Sequence, residues 1–409
     1  MTGPARHYSP ADRAESIYQY VPFEVPASAA GVTVSFAYDR SLAIIDLGLA
    51  GPDRFVGWSG GERAAVTVAR DWATPGYLPG VAPGTWQVIF GLHRIFVASV
   101  SVSIDVEVHR TAPIEPPAPA RPPRRERPPR RSLPASPGRE WLACDFHSHT
   151  VHSDGGLTVD ELAALAVERG LDVVAVTDHN TTSHHRFLPD AGAHAGVVLV
   201  PGQEVTTDRG HANVFGDVSW IDFRRPAREW QAEARQRGGL FSVNHPWAGD
   251  CAWRQSLDSP ADFVELWHST WDRLSSEPLE GWRTFGQLPI GGSDFHRPTP
   301  SVTLAEPTTW VESEDRSVDA VLAAMAEGRV AISASPTAPL VLRVDGALVT
   351  VDAEDSEIRS TDQGAAVLRH GTTVMSVCHD NRLTPGMMGP NQHRTSSLPP
   401  PRGRGRRER

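Results

Sequence analysis

The residues able to do chemistry in this chain are histidines and carboxylates placed where strands end. His147, His149 and Asp154 follow an apolar run, residues 141–146, that reads as a short buried strand. Side chains two apart on a strand share a face, so His147 and His149 converge and can grip one metal ion. Asp154 arrives after a turn through Ser153 and Gly155 and adds a hard oxygen ligand. Taken alone, the stretch reads equally well as a turn that happens to be rich in histidine. Similar clusters recur downstream: His179 in Asp178-His179-Asn180, Glu204 in Gly202-Gln203-Glu204, His211 opening a strand, His245 in Asn244-His245-Pro246, and Asp294 with His296. Imidazole and carboxylate ligands without thiolate suit Zn, Mn or Fe(II) better than Mg or Cu(I). Two such ions roughly 3.5–4 Å apart lower the pKa of a shared water and hold both attacking and leaving oxygens. Phosphoester hydrolysis uses both properties, and no Gly-x-Ser-x-Gly or Cys/His nucleophile pair competes with it.

The elements that must position these groups alternate from residue 140 onward. Thr158 stands three before Glu161, a capping box that opens a helix stopped by Gly170. Residues 171–177 read as a buried strand of parallel type, and 197–201, 240–243, 263–267 and 288–292 repeat the pattern. Polar chemistry sits at the C-terminal ends of these runs, which in a parallel barrel lie on one face. A TIM-like α/β barrel is therefore expected. Buried carboxylates gathered there would be costly without bound cations.

The flanking segments differ in kind. Residues 1–110 alternate apolar and polar at period two, with turns at 50–53, 59–61 and 82–84, and read as a small all-β sandwich or jelly-roll. Trp58, Trp72, Tyr77 and Trp86 read there as core aromatics. Residues 111–138 alternate proline with arginine and read as an extended, solvated linker. The barrel is placed at 139–351. Residues 352–409 are polar, end in an arginine-rich run and read as a disordered basic tail.

Composition narrows the classes. The net charge is −10, and all 39 basic residues are arginine, which removes any lysine nucleophile. Three scattered cysteines give no disulfide framework or zinc–thiolate site. There is no long apolar run and no signal-like start, so a soluble, cytoplasmic protein without membrane contact is expected.

Together these motifs resemble the polymerase and histidinol phosphatase (PHP) superfamily across about residues 140–340. The resemblance rests on His147-x-His149 with Asp154, Thr177-Asp178-His179, Gly202-x-Glu204, His211 in Gly210-His211-Ala212-Asn213, Asn244-His245-Pro246 and Asp294-x-His296. Residues 177–185 and 291–298 fit the CehA/McbA-like metallohydrolase branch. The resemblance implies a distorted (β/α)7 barrel holding two or three divalent ions (Mn, Zn or Fe). Glu204 would bridge two of them, and His147, His149 and Asp294 would complete one. His179, His211, His245, His296 and Asp154 would serve the others. Asp154 stands where some relatives have histidine, which bears on the third site.

The substrate class follows from the resemblance: a small phosphorylated molecule, a nucleotide, or the 5′ end of a short oligonucleotide, cleaved by a metal-bridging hydroxide without a stable nucleic-acid complex. The same centre could cleave a carboxylic ester or carbamate. A non-enzymatic binding protein with a vestigial barrel is the third reading, which the complete ligand set opposes. Arg209 and Arg297 flank ligand positions and could grip a phosphate, or could simply pair with nearby carboxylates. His184 could be a leaving-group acid or a loop residue. Asp178 reads as a partner orienting a histidine, and His268 as a satisfied barrel histidine. Since every candidate ligand lies within 140–350, that segment is expected to be active alone.

Overall fold

The computed structural model describes residues 5–379 apart from residue 363. Residues 6–109 fold as two four-stranded antiparallel sheets. One sheet runs Arg6–Tyr8, Val100–His109, Gly31–Ala37, Ala65–Ala69, and the other Tyr18–Val25, Gly84–Ile95, Ala43–Ala50, Phe55–Trp58. The alternation seen in the sequence is the cause: Val32, Val34, Ile45, Leu47, Val66, Val68, Val88 and Phe90 all point into one shared core.

The remainder is built on a twelve-stranded mixed sheet flanked by helices. From one edge the strands are Gly286–Gly292, Ala261–His268, Leu240–Val243, Gly210–Phe215, Val198–Thr207, Val173–Val176, Glu140–Asp145 and Thr308–Ser313. Val330–Ser333, Thr373–His379, Ala365–His370 and Glu357–Ser360 follow. Val173–Val176 is parallel to both of its neighbours and buried on both faces, which is why it reads as an unbroken apolar run. Gly210–Phe215 instead pairs antiparallel on both sides, so the β-α repeat is interrupted where His211 enters. The expected capping box is present, with Thr158 and Glu161 bonded reciprocally at the start of helix Val159–Glu168.

The sheet curls until its first edge strand meets its middle. Gly291 N donates to Thr309 Oγ1 at 2.8 Å, Thr309 Oγ1 donates to Gly291 O at 2.9 Å, and Ser293 N donates to Asp145 Oδ1 at 3.1 Å. Glycine makes this approach possible. A Cβ at Gly292 would stand 2.6 Å from His147 Cβ and 2.2 Å from Glu265 Oε1.

Two expectations need correction. Residues 357–379, read as part of a disordered tail, carry three strands that continue the sheet beyond Val330–Ser333. Residues 380–409 lie outside the described residues. The proline–arginine segment, though largely exposed, is not a free spacer but lies along helices and loops beside the twelve-stranded sheet. Arg121 pairs with Asp160 at 2.8 Å, Arg130 with Asp172 at 2.8 Å, and Arg131 with Asp352 at 2.6 Å. Its proline rings keep the chain extended, so successive guanidinium groups reach acids on the elements flanking the twelve-stranded sheet. Among the described residues no helix is long and apolar enough to cross a membrane.

Candidate metal centre

His147 and His149 leave the strand Glu140–Asp145 on a backbone pinned from several directions. Asp145 Oδ1 accepts from His147 N at 3.2 Å, and Ser148 Oγ donates to Ala175 O at 2.7 Å. His149 N donates to Phe295 O at 2.8 Å. His179 follows Val173–Val176, Glu204 lies within Val198–Thr207, and His211 lies on the antiparallel strand beside it. His245 and Asp294 close their strands with φ of +25° and +52°, backbone that non-glycine residues seldom adopt and that functional sites tend to store.

Glu204 is the hub. Fully buried, its carboxylate lies 2.6 Å from His179 Nδ1, 3.2 Å from His147 Nε2 and from His211 Nδ1, 3.5 Å from His245 Nε2 and 3.7 Å from His149 Nε2. Asp294 Oδ1 is a second hub, 3.0 Å from His149 Nε2 and 3.2 Å from His147 Nε2. Asp154 Oδ1 lies 3.2 Å from His296 Nε2 and 3.6 Å from His179 Nε2. All nine ligand positions expected from the sequence are thus brought to one face. Four overlapping groups have donor atoms close enough to share an ion: His149, Asp154, His179 and His296; His147, His149 and Glu204; Glu204, His211 and His245; and His147, His245 and Glu265.

The electrostatics fit divalent cations. Burial opposes ionisation of Glu204, but His179, His147 and His211 outweigh it and hold the carboxyl well below its usual range. Asp294 is likewise held low, against burial, by His147 and His149. Burial, with His296 and His179 beside it, lowers His149 to about 4, leaving a neutral imidazole ready to ligate. Burial also opposes protonation of His179, yet Asp154 and Glu204 raise it to about 10. Despite their close neighbours, the buried His147 Nε2 and Asp154 Oδ1 make no well-aligned hydrogen bond among the described residues. Such a set calls for positive charge at its centre, which bound cations supply.

Three contributors were not among the expected ligands. Glu265 Oε1 lies 2.9 Å from His147 Nδ1 while its Oε2 accepts from His245 N at 2.8 Å, so one carboxylate orients two ligands. Asn244 Nδ2 donates to Glu204 Oε1 at 2.8 Å. His268, read as a satisfied barrel histidine, places Nε2 3.2 Å from Asp294 Oδ2. The signal for Glu265 was an acid inside the apolar run Phe263–Trp267, since a lone buried carboxylate needs a partner. Glu265→Gln is expected to weaken Mn or Zn binding about tenfold, the lower end of the outer-sphere range, measured by equilibrium dialysis. Unchanged affinity would remove this orienting role.

The remaining candidates fall elsewhere. Asp178 accepts from Thr150 N at 2.8 Å, Thr150 Oγ1 at 2.6 Å and Ser153 Oγ at 2.7 Å, so it braces the loop that follows His149. His184 is fully buried, with Nε2 on Val176 O and Gly202 O and Nδ1 3.1 Å from Asp178. Burial lowers it to about 3. Arg297 donates to Asp154 O at 2.7 Å and so braces a ligand loop. Arg209 is exposed at a hairpin turn and donates to Arg254 O at 2.9 Å.

The sandwich reaches the same loop. Arg63 donates to Val151 O and, at 3.1 Å, to Ser153 O, and Gly76 N donates to Ser183 Oγ at 3.1 Å. Between the two domains a cleft of about 400 Å³ opens, with Tyr18, Asp46 and Trp58 on one side and Asp154, His179 and His211 on the other. Burial pushes Asp46 up to about 7, against the pull of His179.

No family model matches the chain. A stretch of 96 residues is 34% identical to the 5′-3′ exoribonuclease Rnm of Salmonella typhimurium, covering 23% of this chain and 33% of that protein. Another of 65 residues is 40% identical to Escherichia coli Rnm, covering 15% and 22%. A stretch of 62 residues is 36% identical to the phosphoribosyl 1,2-cyclic phosphate 1,2-diphosphodiesterase of Eggerthella lenta, covering 15% and 24%. The matched stretches span a third or less of those curated relatives. Among solved structures, a two-domain protein from Bacteroides vulgatus containing a predicted PHP-like metal-dependent phosphoesterase aligns over 60% of this chain and 79% of its own, at TM-score 0.42 and 18% identity. The candidate ligands thus stand in the expected order and gather on one face, and the chain shares short stretches of sequence with these phosphoesterases.

Proposed function

We propose that the protein is a metal-dependent phosphoesterase of the CehA/McbA-like branch, on a distorted (β/α)7-type barrel. Its substrates would be a nucleotide ester or the 5′ end of a short oligonucleotide. The observation that carries this reading is the single carboxylate, Glu204, lying within 3.7 Å of five imidazoles. Relatives that share part of the chain are named as an exoribonuclease and a cyclic-phosphate diphosphodiesterase, which supports the substrate class.

Glu204, Asp294, Asp154, His147, His149, His179, His211, His245 and His296 would hold two or three ions of Mn, Zn or Fe. When bound, such ions make water acidic enough to attack at neutral pH and neutralise phosphate charge. The chain's own part is to orient. Glu265 fixes the imidazoles of His147 and the backbone of His245, Asn244 and Thr206 aim the Glu204 carboxylate, and Arg297 holds the Asp154 loop. Arg209 is given no part in this proposal, its guanidinium being turned to Arg254 O.

A second reading, hydrolysis of a carboxylic ester or carbamate, is favoured by one observation: among the described residues no arginine lines the cleft of Asp154, His179 and His211, although Arg13, Arg94 and Arg254 line the cavity adjoining it at His211. A turnover screen of nucleotide esters, 5′-phosphorylated oligonucleotides and aryl carboxylates with Mn- or Zn-loaded protein separates the two. Phosphate-ester turnover is expected, and turnover of carboxylates alone would replace the proposal. Purified full-length protein prepared without chelators is expected to carry at least about two divalent ions per chain by elemental analysis. Less than one ion, not restored by added Mn or Zn, would remove the metal centre.

A further inference from the structure

The wall of the cleft contributed by the sandwich differs in chemistry from the ligand face opposite. We propose that this wall is a recognition subsite for a flat, uncharged ring bearing adjacent N–H donors, guanine among the nucleobases, with Asp46 as its acceptor and Trp58 beside it. The inference deepens the phosphoesterase reading and rests on it for the position of the scissile bond.

Size comes first. A cleft of about 400 Å³ lies within the usual range for small-molecule sites and holds a nucleoside rather than a longer segment. Its far side is the ligand face of Asp154, His179 and His211, so a group seated on the near side flanks the bond at the metal centre.

Charge decides what can sit there. The lining includes the carboxylates of Asp46, Glu62, Asp154 and Asp208 and no arginine, in a chain without lysine. Asp208 is paired with Arg13 toward the adjoining cavity, so a second phosphate placed beside Asp46 and Glu62 would meet like charge. Ile17, Tyr18, Ile44, Trp58 and Phe223 supply apolar surface. The occupant is therefore neutral or cationic and partly apolar.

Asp46 gives the polar specificity. Its carboxylate has no hydrogen-bond donor among the described residues and lines the cleft. A Cβ at Gly91 would stand 3.0 Å from Asp46 Oδ2 and 2.9 Å from the Trp58 ring, so glycine there leaves carboxylate and indole side by side. An ionised carboxylate only accepts hydrogen bonds, and left without a donor in an apolar wall it is destabilising. Guanine presents N1–H and the 2-amino group next to each other, matching two carboxylate oxygens. Uracil sets its one N–H between two carbonyls, which face the same oxygens unfavourably. The wall is rigid: Phe55 stacks on Trp220 at 4.0 Å and Trp58 meets Phe223 at 4.7 Å, so Asp46 is held at a fixed place opposite the ligands.

The test uses full-length, Mn-loaded protein and p-nitrophenyl esters of guanosine and uridine 5′-monophosphate. The readout is the ratio of kcat/KM values within each protein, because a structural defect lowers both terms together. The wild type is expected to prefer the guanosine ester about tenfold, the scale of a charge-assisted hydrogen-bond pair, and Asp46→Ala to bring the ratio near one, mainly through KM. A wild-type ratio near one, or a ratio kept in Asp46→Ala, overturns the subsite. If neither ester turns over, the phosphoesterase reading fails, and calorimetric binding of guanosine itself then judges the subsite. Binding that is lost in Asp46→Ala sustains it, and absence of binding to the wild type overturns it.

Discussion

Glu204→Gln is expected to lower kcat/KM by at least about a hundredfold and to weaken the binding of more than one ion, since the change falls on a ligand rather than on the outer sphere that already accounts for 10–100-fold. The substitution keeps the volume and removes the charge. Only a carboxylate can offer one oxygen to each of two cations, and here one oxygen faces His147, His211 and His245 while the other faces His149 and His179. An amide presents one oxygen and turns two N–H donors toward imidazoles that must themselves ligate. Asn244 Nδ2, which donates to Glu204 Oε1 at 2.8 Å, would hold the amide oxygen on its side, leaving the amide N–H donors to face Thr206 Oγ1 and the imidazoles of His149 and His179. Titration of Mn into ion-free protein provides a readout independent of turnover. Wild-type activity at wild-type metal content would remove the bridging role and the two-metal centre with it.

Removing residues 1–110 is expected to leave a protein that melts far below the full chain and has less than about one hundredth of its activity. This reverses the expectation that residues 140–350 suffice, and the reason is packing between the domains. Phe55 stacks on Trp220 at 4.0 Å, Trp58 and Tyr18 meet Phe223 at 4.7 and 5.6 Å, and Arg13 pairs with Asp208 at 2.5 Å. Each ring uncovered returns on the order of 150 Å² to water, or roughly 4 kcal/mol at about 25 cal/mol per Å². Two such losses consume much of a typical stability of about 5–15 kcal/mol. The truncation also removes Arg63 from Val151 O and Ser153 O and Gly76 from Ser183, so the Asp154 loop loses its outer brace. A window ending at residue 350 would further delete the strand Thr373–His379 that pairs with Val330–Ser333. Calorimetry and elemental analysis of the truncated chain decide the point. A folded, metal-loaded fragment with wild-type kcat/KM would show that the sandwich is an appendage.

The sequence by itself placed the candidate ligands at strand ends, because that placement is a local matter. A strand has a side-chain period of two and its end is marked by the switch from apolar to polar residues, so His147, His149, His179, Glu204 and His245 could be assigned to one end of a sheet before any contact was known. The same local logic identified the helix cap at Thr158 and Glu161 and the alternation of the N-terminal strands. Groups whose role depends on partners far along the chain were decided only by the tertiary structure. Asp46 occupies a polar position in an alternating strand, a pattern shared with any solvent-facing acid, and it becomes a cleft residue because Trp58 docks on Phe223. Glu265 reaches a ligand 118 residues away, and Arg63 one loop 88 residues away. Arg209 and Arg297 look equivalent beside their ligands, yet one points to a backbone carbonyl at the rim and the other holds Asp154. The strands Ala365–His370 and Thr373–His379 were hidden because they follow a polar stretch and gain their stability from pairing with Val330–Ser333 rather than from neighbours in sequence. Periodicity reports which face a side chain takes, while the partner that face meets is chosen by how the curled sheet and the sandwich pack against each other.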